Sequence, residues 1–320
     1  MFKKFKMRSS SKKNNWISLA LYYNPDSYRT LVVKGINCYL EKNKDVFQAI
    51  NLYCSDVRGY SLVFELELIN NKDPEEIVKS ALEHFESFFQ NYPSDYVDLS
   101  EFENDWFLPY PNNSIIQLNC RERFNSVISL FEFELRPYFE SYLNSLTKII
   151  LDLSNEIENQ DHEENISSIL FAISSIIHPF VNEKKEAHDL LNQITINIDK
   201  VADIMNSVSP SDKTKITDIL SKLNYDFELN SSIINEFITL VWQELDSGNF
   251  STLQELRNQS ESLLRNYKEL KQENNEFIET LLSFVINNIF SILGPNEYYL
   301  LFSFHSFKNS LISEASNDKK

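Results

Sequence analysis

Most of the chemistry open to this 320-residue chain would have to come from five histidines, three cysteines and a few arginines. His305 stands apart. It lies in YLLFSFHSFKNSL (Tyr299 to Leu311), ringed by Phe302, Phe304 and Phe307, with Ser303 two positions before it and Asn309 four after. Residues four apart on a helix share a face, so His305 and Asn309 would meet. An imidazole among aromatic rings and beside one polar partner can have its pKa brought into a range useful for proton transfer. The competing reading, which sequence physics favours, is a core histidine hydrogen-bonded to Asn309 or to a backbone carbonyl.

The other histidines point to bland roles. His84 sits beside Glu83 and Glu86 and reads as half of a surface ion pair, while His162 falls in an acidic run, Gln160 to Glu164, expected to be a solvated loop. His178 precedes Pro179 at a helix end, where a cation suits the dipole, and His188 follows the charged first turn of its helix. HExxH, CxxC, P-loop and GxSxG motifs are all absent, and with only four glycines phosphate-cradling loops are disfavoured. Cys38, Cys54 and Cys120 are odd in number and widely spaced, so they make neither a disulfide framework nor a zinc site and read as small apolar residues. No cofactor or metal is expected.

Charge narrows the partners. Thirty basic against 47 acidic residues give −17, and six cations (Lys3, Lys4, Lys6, Arg8, Lys12, Lys13) precede Trp16, leaving −23 on the remainder. Such a body is a poor match for nucleic acid or an anionic membrane. The apolar run Trp16 to Tyr23 is only eight residues long and runs into Asn24-Pro25 without a small-residue cleavage site, so residues 1–15 read as a basic flexible tail on a cytoplasmic protein. No apolar stretch reaches the ~20 residues of a membrane span.

The elements that must position these residues follow from period. WISLALYY (Trp16 to Tyr23) reads as a strand; Leu31, Val32, Gly35, Ile36, Tyr39 and Leu40 then give a helical face after an Asp26/Ser27 cap. AINLYC (Ala49 to Cys54) and YSLVFELEL (Tyr60 to Leu68) read as strands joined by the DVRG turn, the second alternating so that one face is buried and the other partly wet. A helix follows Asp73-Pro74, and SIIQLN (Ser114 to Asn119) is a fourth strand. The order β-α-β-β-α-β is that of a ferredoxin-like unit, so the fold class is α+β: residues 16–120 as an α/β subdomain, then 121–320 as a large helical region packed with it.

Helices are expected near 125–157, 166–178, 184–207, 212–223, 231–247, 252–292 and 296–313. In the sixth, Leu253, Leu256, Ser260, Leu263, Tyr267, Leu270, Asn274, Phe277, Leu281 and Phe284 form a heptad seam. Such a seam serves either an antiparallel pair within the chain or a homodimer, in which Asn274 would fix register.

Two separated stretches carry a family resemblance. Trp16 to Tyr23, followed by L-Y-x-x-D-x-x-G-Y-x-L-x-F-x-L from Leu52 to Leu66, resembles the C-terminal elimination domain of lantibiotic dehydratases, which also occurs alone as the thiopeptide-type bacteriocin biosynthesis protein. H-S-F-K-N-S-L (His305 to Leu311) is similar to that family's H-M-x-x-N-R-L. The resemblance implies a lyase that removes glutamate from glutamylated Ser or Thr of a ribosomal precursor peptide, or a relative joining two dehydroamino acids into a thiopeptide pyridine ring. It places His305 as acid/base and Asn309 as its neighbour, and it implies a separate glutamylation-type dehydratase as possible partner. It also implies arginines that this chain lacks: Leu52 and Ser310 stand at two such positions, and Tyr60 to Glu65 at the family's H-x-R-L-R. Arg58 in the turn is the nearest cation that could anchor a carboxylate, with Arg121 and Arg123 behind it. A relative that has lost catalysis would still bind peptide, and a sheet edge could take it by strand addition. A helical dimeric structural protein is the third reading.

Overall fold

The structure is a computed structural model describing residues 15–69, 72–102, 108–118, 134–157, 162–181, 210–248, 251–270, 275–293, 302–303 and 305–311. The basic tail, Cys120, Arg121, Arg123, His188, the segment 184–207 and Asn274 lie outside the described residues, as does the side chain of His162.

Four strands, β1 (Trp16–Tyr22), β2 (Phe47–Ser55), β3 (Ser61–Leu68) and β4 (Ser114–Gln117), make an antiparallel sheet in the order β2-β3-β1-β4. The β2–β3 hairpin turns through a five-residue loop in which Arg58 and Gly59 are both at positive φ (61° and 127°). Between β1 and β2 the chain is capped by the Asn24 side chain, which accepts from Asp26 N; the expected Ser27 cap makes no side-chain bond. A helical turn (Tyr28–Thr30) then widens to a π-helix (Leu31–Asn37) before closing as Cys38–Lys42. Helix α1 (Pro74–Asn91) has Asp73 as N-cap and Pro74 in its first turn. Its Phe85 and Phe88 pass Gly35 so closely that a Cβ there would lie 3.4 Å from each ring.

The chain beyond the sheet is helical where described: α2 (Arg136–Ile157), α3 (His162–Ile177), α4 (Pro210–Ser247), α5 (Ser251–Leu270), α6 (Asn275–Leu293) and residues 305–311. His162, Glu163 and Glu164 open α3 rather than lying in a loop. α4 is one helix of 38 residues where two were expected: nothing between Pro210 and Gly248 breaks it, and Gly248, at φ 71°, ends it. The single heptad helix expected over 252–292 is two. Tyr267 and Phe277 stack 3.8 Å apart, whereas ten residues of straight helix would separate them by about 15 Å. The seam residues of α5, Leu256, Ser260, Leu263 and Tyr267, are buried within the chain, where α5 packs on α2. One apolar cluster runs from the sheet into these helices.

Both faces of β3 are buried, not one. Leu62, Phe64 and Leu66 face the Tyr39–Phe85 side, and Ser61, Val63 and Glu65 on the opposite side are equally closed to water. The free edge of β2 is closed too. Leu52 N donates to Thr147 Oγ1 of α2 at 2.9 Å, and Cys54 N donates to Asn288 Oδ1 of α6. Thr147 and Asn288 in turn donate to carbonyls of their own helices, those of Leu143 and Phe284. Helices thus satisfy the Leu52 and Cys54 amides of an edge that would otherwise offer them to another strand.

Candidate active site around His305

The turn at 305–311 buries one face: Ser306, Phe307, Ser310 and Leu311 are enclosed, as are Phe302 and Ser303 just before it. The other face carries His305, Lys308 and Asn309, each half-buried. Helical spacing brings Asn309 Nδ2 to 2.8 Å from His305 Nε2. That amide nitrogen carries only hydrogens, so it donates, and the ring proton resides on Nδ1. Phe227 of α4 closes on the imidazole edge-to-face, with ring centres 6.1 Å apart, and Trp242 of the same helix stacks on Phe307 at 6.4 Å. Burial lowers the His305 pKa from its ordinary value, and the Lys308 charge lowers it further. The imidazole is therefore neutral at pH 7. In this state it can donate a hydrogen bond from Nδ1 and can take a proton at Nε2 if Asn309 turns away, and only the imidazolium so formed could return one.

His305 meets Asn309 and Phe227 and feels the Lys308 charge, and among the described residues no hydrogen bond joins it to Arg58. The Arg58 guanidinium instead ties down the segment ahead of β4. Nε and Nη2 donate to Leu108 O at 3.1 and 2.7 Å, Nη1 donates to Tyr110 Oη at 3.0 Å, and the group lies 4.1 Å from the Tyr110 ring centre. Tyr110 N returns a bond to Arg58 O at 2.8 Å. The cation of the DVRG turn thus holds two loops together.

Sequence reasoning missed a buried carboxylate. Glu65, with no exposed surface, receives Tyr53 Oη at 3.0 Å and Ser18 Oγ at 3.4 Å on Oε1, and Asn51 Nδ2 at 3.5 Å on Oε2. Ser18 and Asn51 are its register partners on β1 and β3's other neighbour β2, so only the strand pairing brings the group together. His84 also differs from expectation. Its Nε2 lies 2.9 Å from Gly35 O and its ring packs on Tyr39 and Phe85, since the π-helix brings the Gly35 carbonyl within reach. His178 is buried and bonds Asp246 of α4 at 2.8 Å while meeting Trp242 edge-on. Cys54 is half-buried with its thiol pKa pushed up to about 12 by burial, whereas Cys38 is exposed rather than packed as an apolar residue. Among the described residues no group of three His, Cys, Asp or Glu could hold a metal ion.

No family model matches this sequence, and no curated protein matches it. Solved structures do. The pyridine synthase TbtD from thiomuracin biosynthesis aligns with a TM-score of 0.64 at 11% identity over 93% of this chain and 98% of its own. The tRNA-dependent lantibiotic dehydratase MibB from Microbispora sp. 107891 gives 0.57 at 9% identity; the alignment takes in 96% of this chain but 28% of MibB. TsrL gives 0.54 at 10% identity over 94% of this chain and 95% of its own. The chain thus shares its fold with thiopeptide and lantibiotic biosynthesis proteins, the group that the Trp16 and His305 stretches resemble in sequence.

Proposed function

We propose that the protein acts in the maturation of a lantibiotic- or thiopeptide-type peptide, on a ribosomal precursor whose Ser or Thr side chains have already been modified, with His305 as the proton-transfer residue. The observation that carries this reading is the His305–Asn309 pair: a neutral, half-buried imidazole at the motif position, in a fold that matches TbtD nearly end to end. In the elimination reaction a base takes the α-proton, the Cα–Cβ double bond forms, and the Cβ–O bond to the glutamyl group breaks so that glutamate leaves as its carboxylate. A separate glutamylation-type dehydratase would supply that substrate in the cytoplasm.

One observation favours a second reading, a family member that binds peptide without eliminating glutamate. Arg58 has Leu108 and Tyr110 as partners, and a buried Glu65 stands in the stretch where the resemblance calls for arginine. To anchor a departing carboxylate, Arg58 would have to release the segment ahead of β4. For the scaffold, antiparallel order β2-β3-β1-β4 supports a ferredoxin-like N-terminal unit, and the bonds from β2 to Thr147 and Asn288 support residues 16–120 and 121–320 working as one body.

The test is the mass of a glutamylated precursor peptide incubated with the protein. Loss of glutamate, abolished by His305→Ala with peptide binding retained, is the expected result. Equal loss with His305→Ala removes the role assigned to His305; binding with no loss leaves the second reading in place of the first.

A further inference from the structure

Helix α4 is apolar on two opposite sides. Leu223, Ile234, Ile238, Val241 and Leu245 point into the core, while Tyr225, Leu229, Ile233 and Leu240 stand 62%, 65%, 71% and 54% exposed. Four large, mostly exposed apolar side chains in one row exceed the scattered apolar residues usual on a monomer surface and mark a docking face. Their spacing indicates what docks there. Around Leu229 the stretch from Lys222 to Glu236 is symmetric in position: Tyr225 and Ile233 lie four residues to either side, and Lys222 and Glu236, both exposed, lie seven to either side, while Leu240 falls outside this stretch. Steps of four and seven stay on one face of an α-helix.

We propose that this face binds a second copy of the chain, the two α4 helices running antiparallel about a twofold axis at Leu229. In that register Leu229 meets Leu229. Each Tyr225 meets the partner's Ile233, and each Lys222 meets the partner's Glu236, so opposite charges flank the Tyr225–Ile233 contacts on both sides. An isologous interface requires a patch complementary to itself, which the stretch from Lys222 to Glu236 is. The heptad seam of α5 lies inside the chain against α2, so this dimer uses a different surface from the one the periodicity singled out.

Sedimentation of the full chain up to about 100 µM tests the assignment. Wild type is expected at dimer mass. Leu229→Asp sets two carboxylates against each other on the axis and should give a monomer. Lys222→Glu places like charges opposite at both ends and should weaken the dimer about tenfold, and adding Glu236→Lys should restore it. These positions are exposed, and circular dichroism will show that each variant keeps its helices. A monomeric wild type, a dimer untouched by Leu229→Asp, or a failure of the charge swap to restore association would overturn the proposal.

Discussion

Phe227 on one side and the buried half of its own helix on the other keep water from much of His305, and Lys308 adds a positive charge nearby. His84 is shifted in the same direction, chiefly by burial, with the Gly35 carbonyl pulling the other way and Lys42 adding to the decrease. Both rings therefore bind their protons more weakly in the folded chain than in the unfolded one. Their contribution to stability is complete above the unfolded value of 6.5 and is lost as pH falls through it toward the folded values. Thermal melts between about pH 8 and pH 5 should show this slope, and His84→Gln or His305→Gln should flatten it; an unchanged slope in both variants would count against the assignment. Arg58 allows a cleaner separation. Arg58→Ala removes its bonds to Leu108 and Tyr110 but keeps a side chain at φ 61°, and should destabilise by about 2–3 kcal/mol. Arg58→Gly loses the same bonds yet relieves the left-handed backbone, so it should recover roughly 1 kcal/mol of that. Denaturant midpoints that place the glycine variant below the alanine one would contradict this account.

At the scale of elements, the closed edge of β2 decides how sheet and helices join. The Thr147 hydroxyl both donates to its own helix and accepts from β2, and Asn288 does the same with its Nδ2 and Oδ1, so neither can be replaced by an apolar residue of similar shape without stranding an amide. Thr147→Val and Asn288→Leu should each cost about 1–3 kcal/mol and speed hydrogen exchange at the Leu52 and Cys54 amides respectively. Exchange left unchanged would mean that the edge is protected by something else. The same scale accounts for two helix boundaries that periodicity misplaced. α4 continues through Asn230-Ser231-Ser232 because polar residues on an exposed face do not interrupt a helix. The seam does not run on from α5 into α6 as one helix, since Tyr267 stacks on Phe277, a contact a straight helix could not make.

For the whole molecule, the sheet and the helices share one apolar cluster, and β2 is exposed without its helical cover. A fragment of residues 15–118 made alone should therefore aggregate or lack a cooperative melt. A monodisperse fragment with a sharp transition would show that the sheet unit is self-sufficient. No helix among the described residues is long and apolar enough to cross a membrane, in keeping with the absence of a long apolar run in the sequence.

The sequence by itself determined the α+β class, the four strands and their order along the chain, the helical character of the described residues beyond them and the shared helical face of His305 and Asn309. All of these depend on local period or on spacing within one element, which residue order encodes directly. Only the tertiary structure decided that Glu65 is buried, that Arg58 holds Leu108 and Tyr110, that His84 meets Gly35, and that Thr147 and Asn288 close β2. Each of these joins residues far apart in the chain through strand register or helix docking. A period of two gives Glu65 a face of the sheet but cannot say whether water or a helix lies over it.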